Sequence, residues 1–219
     1  MVRIKICGIT SVEEARLVEQ NGADALGVLV GQEHASEDFV SPAKALEIVQ
    51  QLPPFLVTVW ITHLENTDEI MEMAHAIPCP VVQLHSDLSP ETLGHLRQLL
   101  FPRKIIGKVS VEGKEAIQRA KEIEKTVDAI LIDSIDRKND RVGGTGKVHD
   151  WDISHRIVQE VNVPVILAGG LTPDNVQDAI RKVKPWGVDV NSGVDGKNGK
   201  KEKALVRRFV ENARKASST

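Results

Sequence analysis

The chain has 219 residues and a formal net charge of -3, enough length for one domain with a sizeable core and no electrostatic reason to seek nucleic acid or an anionic membrane. No apolar run approaches the ~20 residues that span a bilayer. The two cysteines lie far apart and make no disulfide framework, so a reducing cytoplasm is expected.

Tyrosine is absent, and four phenylalanines and three tryptophans leave few aromatic walls for a ligand site. In chain order, residues 3–7 alternate charged and apolar side chains, which reads as a strand and not as a signal peptide. This run ends at Cys7-Gly8, and Thr10-Ser11 followed by Glu13-Glu14 marks a capped helix near 11–21. Apolar runs at 24–30, 55–61, 81–84, 104–109 and 127–133 follow. They alternate with helical stretches near 41–51, 66–76, 89–100 and 112–125, two of them opened by Ser41-Pro42 and Ser89-Pro90-Glu91. The longest irregular segment, 134–147, holds Gly143, Gly144 and Gly146. It is no P-loop, because Gly146-Lys147 is followed by Val148 where Ser or Thr is required. A helix near 150–161 and a strand at 163–168 come next, then Gly169-Gly170 and a helix at 173–183 opened by Thr172-Pro173-Asp174. A strand at 187–190, the turn Asn191-Ser192-Gly193 and a helix at 200–215 complete the chain. The basic cluster at 197–203, with Arg207-Arg208, reads as a solvated turn and an outer helix face.

Strands alternating with helices in this way define an α/β fold, a single-domain (β/α)8 TIM barrel over residues 1–219, at roughly 27 residues per unit near the small end for that barrel. A doubly wound sheet calls for a glycine-rich turn after the first strand, where only Gly8 stands. In a barrel the C-terminal ends of the strands form the active rim, which selects Cys7, Gly31, His63, His85, Asp133, Gly169 and Asn191-Ser192. Strand, glycine turn and helix start at Gly169-Gly170 and at Ser192-Gly193 present N–H groups to an anion, so a phosphate grip is expected after the last two strands. Cys7, near a helix start, is expected to ionise readily and serve as base or nucleophile. Asp133, at the edge of an apolar strand, is expected to have a raised pKa and act as a general acid. Lys5 shares the Cys7 side of its strand and needs an acidic partner, Asp189 or Asp133. Cys79, between Pro78 and Pro80, belongs to the stability face, and His75, His95, His149 and His155 fall on helices or helix starts. His34, His63 and His85, with Asp38 and Asp87 nearby, offer a divalent-metal alternative. No His-x-His or His-Glu-x-x-His spacing supports it, and no metal is expected.

Six motifs resemble, in order and over nearly the whole chain, the phosphoribosylanthranilate isomerase family of tryptophan biosynthesis. They are Lys5-Ile-Cys-Gly-Ile-Thr10, Val82-Gln-Leu-His85, Ile130-Leu-Ile-Asp133, Gly143-Gly-Thr-Gly146, Leu167-Ala-Gly-Gly-Leu-Thr-Pro-Asp-Asn175 and Gly187-Val-Asp-Val-Asn-Ser-Gly-Val194. The resemblance implies a cofactor-free barrel that converts N-(5'-phosphoribosyl)anthranilate to 1-(2-carboxyphenylamino)-1-deoxyribulose 5-phosphate. It implies Asp133 as acid, Cys7 as base, and a 5'-phosphate held by Gly144, Gly146, Gly169, Gly170, Ser192 and Gly193. His85, His63, Asp38 and Asn191 complete the implied pocket. The departures cluster among strands two to four. The family carries a Ser-x-Arg motif whose arginine pairs with the anthranilate carboxylate, and this chain has Ser36-Glu37-Asp38. A carboxylate there would repel that group, leaving Lys108 or His63 to hold it. Val59-Trp60-Ile61-Thr62-His63 replaces a glycine-containing run, and Ser86 stands where glycine is usual. Three further readings stay open: an isomerase of another phosphoribosyl amine, a metal-assisted sugar-phosphate epimerase using His34, His63 and Asp133, and a non-catalytic phosphometabolite sensor. The expected partner is a small phosphoribosyl molecule, with no nucleic acid and no membrane, in a monomer or weak homodimer.

Overall fold

Eight parallel strands close into a barrel: β1 (Arg3–Ile6), β2 (Ala25–Leu29), β3 (Val57–Thr62), β4 (Val81–Leu84), β5 (Lys104–Ser110), β6 (Ala129–Asp133), β7 (Val165–Leu167) and β8 (Gly187–Val190). The computed structural model describes residues 1–32, 36–136, 141–142 and 150–216, with backbone alone at 135–136 and 141–142. His34, Gly144 and Gly146 lie outside the described residues. Hydrogen-bonded order round the barrel is β1-β8-β7-β6-β5-β4-β3-β2. Closure comes from β1 against β8, with Lys5 in register with Asp189. The helices that return the chain are α1 (Val12–Gln20), α2 (Pro42–Gln50), α3 (Thr67–Ala76), α4 (Pro90–Leu99), α5 (Glu115–Ile123), α6 (Trp151–Glu160), α7 (Val176–Val183) and α8 (Lys203–Ala216). A short antiparallel pair, Ile135–Asp136 with Arg141–Val142, follows β6 outside the barrel. No helix among the described residues is long and apolar enough to cross a membrane.

The strands read as continuous apolar runs because both of their faces are covered. One face meets the helices, where Ile4, Ile6, Leu26, Trp60, Leu84, Ile130 and Val188 pack. The other fills the barrel with Leu29, Val59, Ile61, Ile106, Ala129, Leu131, Ile166 and Ala168, and Cys7 sits at the top of this cluster. The period of two along each strand sends Lys5, Gln83, Lys108, Asp133 and Asp189 to the inner face as well, and all five are buried. The barrel is therefore apolar below and polar toward its C-terminal mouth.

Local signals set most boundaries. Ser11, Ser41 and Ser89 each accept a hydrogen bond from the N–H three residues on, at 3.2, 3.2 and 3.0 Å, and start α1, α2 and α4 where their sequences predicted. The start of α7 is a correction. Thr172-Pro173-Asp174 forms a turn, and the helix begins at Val176. The Asn175 side chain explains the delay: its Oδ1 accepts from Thr172 N–H at 2.8 Å and its Nδ2 donates to Gly170 O at 2.9 Å. That closes a loop round the glycine pair before the helix can begin. The expected strand at 55–61 also moves, to Val57–Thr62, leaving Phe55 exposed after Pro53-Pro54.

Candidate active site

Cys7 follows β1 and Asp133 ends β6, so both occupy the C-terminal mouth, and both are buried. Between them stands an ion pair, Lys5 Nζ to Asp189 Oδ2 at 2.6 Å, with both side chains buried. Asp189 is the partner that Lys5 required. Burial alone would lower the Lys5 pKa, but Asp189, Cys7 and Asp133 outweigh it and hold the ammonium above its ordinary value.

The thiol departs from expectation. Burial pushes Cys7 up to about 12, and Asp189 and Asp38 add to this, while Lys5 and Lys201 pull the other way. The expected help from a helix start is absent because α1 begins only at Val12, and that effect fades within a turn. Cys7 is therefore a weak acid whose thiolate, once formed, is a strong base. Asp133 behaves as expected, raised to about 6 by burial. The Ser134 N–H, donating to Asp133 Oδ1 at 2.7 Å, opposes that rise, as do Lys108 and Lys5, and Asp189 adds to it.

His85 Nε2 stands 3.7 Å from Asp133 Oδ2. The Gln83 amide donates to His85 Nδ1 at 2.9 Å, which leaves the ring proton on Nε2, facing the acid. Burial, then the charges of Lys108, His63 and Lys5, hold this imidazole well below its ordinary pKa, so it is neutral. His63 stacks on it with centroids 4.9 Å apart, and Phe39 meets His63 edge-on at 5.1 Å. Phe39, His63 and His85 thus form one wall above β3 and β4. Of the residues in the epimerase alternative, His34 lies outside the described residues, and the histidine recorded against Asp133 is His85; among the described residues no three His, Cys, Asp or Glu side chains gather as a metal site needs.

Across the mouth, the turns after β7 and β8 touch. Gly169 and Gly170 have φ of 80° and 68°, which an L side chain rarely adopts, and a Cβ on Gly193 would overlap the Leu171 carbonyl. The N–H groups of Gly170, Ser192 and Gly193 donate to no backbone carbonyl among the described residues. Among the described residues, Ser110 Oγ, Ser134 Oγ and Asp189 Oδ1 are buried without a hydrogen-bond partner. Buried polar atoms are rarely left so, and these face a mouth that a polar ligand would fill.

Asp38 is engaged within the protein. Its Oδ2 accepts from Asn191 Nδ2 at 2.8 Å. Asn191 Oδ1 in turn accepts from Lys201 Nζ at 2.8 Å, and Lys201 pairs with Asp195 Oδ1 at 2.6 Å. The carboxylate meets the end of β8 and ties the β2–α2 loop to the turn there, over the end of β1, which lies between the two strands. Lys201 was missed altogether, since the basic cluster around it reads as solvated, yet its side chain is 1% exposed. Nothing in local spacing distinguishes it from Lys200, which is exposed.

One proton donor, one proton acceptor and an anion cradle on a shared rim equip this barrel for acid–base chemistry on a small phosphorylated molecule. The family model for N-(5'-phosphoribosyl)anthranilate isomerase matches residues 4–212. An N-(5'-phosphoribosyl)anthranilate isomerase 2 of Methanosarcina mazei is 46% identical over 97% of this chain and 94% of its own. The crystal structure of phosphoribosyl anthranilate isomerase from Thermotoga maritima superposes with a TM-score of 0.86 at 33% identity, covering 98% of this chain and all of that one. A structure of the isomerase in complex with reduced 1-(o-carboxyphenylamino)-1-deoxyribulose 5-phosphate has a TM-score of 0.82 at 32% identity, with coverage of 98% and 100%. The chain belongs to the phosphoribosylanthranilate isomerase family.

Proposed function

We propose that Asp133 and Cys7 carry the family's reaction in this chain, the isomerisation of N-(5'-phosphoribosyl)anthranilate to 1-(2-carboxyphenylamino)-1-deoxyribulose 5-phosphate in tryptophan biosynthesis. Asp133 protonates the furanose ring oxygen, the C1'–O bond breaks, and the anilino nitrogen lone pair forms the C1'=N bond. The Cys7 thiolate then takes the proton from C2', and that electron pair moves to C1'=C2', neutralising the nitrogen. The resulting enolamine loses its enol proton as C1' gains one, giving the ketone. The 5'-phosphate rests on the turns at Gly169-Gly170 and Ser192-Gly193, with Gly144 and Gly146 as further candidates from the sequence. The observation that carries this assignment is the burial of both groups at one mouth, in the field of one Lys5–Asp189 pair. The test is loss of fluorescence when purified protein meets anthranilate phosphoriboside made in situ. A folded protein that leaves the fluorescence unchanged refutes the assignment.

We infer further that pairing of two copies in a weak homodimer uses the opposite, N-terminal face. Met1, Phe55, Phe101 and Trp186 each precede a strand and expose apolar side chains there, in place of the surface without apolar stripes that composition suggested. Phe55→Glu should lower the mean mass in sedimentation equilibrium at high concentration. A wild type that stays monomeric at every concentration rules the pairing out.

A further inference from the structure

The aglycone of anthranilate phosphoriboside carries a carboxylate, and a carboxylate enclosed in a barrel mouth needs a cation within reach. Among the described residues, Lys5, Lys108 and Lys201 are the buried lysines at this mouth. Two are engaged, Lys5 by Asp189 and Lys201 by Asp195, each at 2.6 Å. Lys108 differs. Its side chain is 3% exposed, yet the carboxylate within ion-pair range of it, Asp87 Oδ1, lies 3.9 Å away on a side chain that is 65% exposed, and buried Asp133 feels its charge from beyond that range. The separation from Asp87 is beyond hydrogen-bond length. An exposed acid at that range compensates a buried ammonium poorly.

The position also fits. In the strand order, β8 and β7 stand opposite β4 and β3. A ligand with its phosphate on the glycine turns and its ribose between Cys7 and Asp133 directs its aglycone over β3, β4 and β5. Lys108 rises from β5 two residues before Ser110, which is in register with Asp133. Its Nζ reaches the level of Asp87, in the turn after β4, so the ammonium lies at the rim. The wall of Phe39, His63 and His85 supplies an aromatic face beside it. Neutral His85 offers no charge to a carboxylate. Asp38 is bound to Asn191, and the Asp87 carboxylate at this rim is solvated and 65% exposed.

We propose that Lys108 is a specificity-determining residue: its ammonium pairs with the aglycone carboxylate while the aromatic ring lies against the Phe39–His63–His85 wall. The proposal rests on the isomerase reading above, and its test separates the two. Wild type, Lys108→Met and Lys108→Arg are assayed on the phosphoribosyl derivatives of anthranilate and of aniline, which lacks the carboxylate. Wild type prefers anthranilate. Lys108→Met lowers kcat/KM for anthranilate by about 10- to 100-fold, chiefly through KM, as the loss of one charge-assisted contact requires. The aniline derivative feels only the smaller change that Lys108 transmits through Asp133, so the anthranilate-to-aniline ratio of kcat/KM falls at least tenfold, about 1.4 kcal/mol, and Lys108→Arg keeps most of the preference. Should methionine unsettle the barrel, Lys108→Gln retains a polar head there and reads the same ratio. If both substrates fall together, Lys108 acts through Asp133 and the proposal is overturned. If wild type turns over neither substrate, the isomerase reading fails and takes this proposal with it.

Discussion

Asp133→Asn is expected to lower kcat on anthranilate phosphoriboside by about 100- to 10,000-fold, the range for removing a general acid. The thermal midpoint should stay near that of wild type. Asparagine keeps an oxygen to accept from Ser134 N–H but has no proton to give the ring oxygen. Cys7→Ala should lose a similar factor, since no other described group at that strand end replaces the sulfur. The pH profile is the sharper readout. The chemistry needs a protonated carboxyl and an ionised thiol, but Asp133 titrates at about 6 and Cys7 at about 12. Between those values most molecules hold the proton on sulfur and not on the acid. A pH-independent minority holds the reverse arrangement, because moving the proton between the two groups neither releases nor absorbs one. The profile of kcat/KM should therefore be flat upward from about pH 6. Below that it should fall tenfold per pH unit, as protonating Asp133 no longer compensates for the shrinking thiolate fraction. A bell centred near neutrality in the kinetic profile would show instead that the thiol ionises easily.

Lys5→Met is expected to destabilise the protein by about 3–5 kcal/mol, read as a lower urea midpoint with an unchanged denaturant slope. The substitution conserves length but leaves Asp189 buried without its cation, with one oxygen already unpartnered among the described residues. Lys5→Met with Asp189→Leu should recover much of that loss, because a buried ion pair is commonly replaceable by apolar side chains. Activity should not return with stability. Lys5 is the strongest influence pulling the Cys7 pKa down, so Lys5→Met makes the base harder to ionise, and Asp189→Leu undoes only part of that by removing the smaller upward push of Asp189. If the doubly substituted protein regains turnover, the pair is structural only.

The strap from Asp38 through Asn191 to Lys201 shows how a departure from a family motif acquires a different meaning in three dimensions. Read along the chain, an acid at position 38 looks like an obstacle to an anionic aglycone. In the fold it is one end of a hydrogen-bonded series that ends on Asp195. Its partner lies 153 residues away in sequence, so no window of local pattern contains both.

What could be read along the chain follows from short-range physics. Apolar runs of strand length, serine caps and glycine turns act over a few residues, so they announced the alternation of strands and helices. Once strands are parallel in a barrel, their C-terminal ends share one rim, and that placed Cys7, His85 and Asp133 together before any coordinates. Protonation and partnership had to await closure of the barrel. The desolvation that holds the Cys7 proton, the choice of Asp189 for Lys5 and the burial of Lys201 all come from groups brought together by that closure. Electrostatic free energy depends on distance and on excluded water, and neither is a property of sequence spacing.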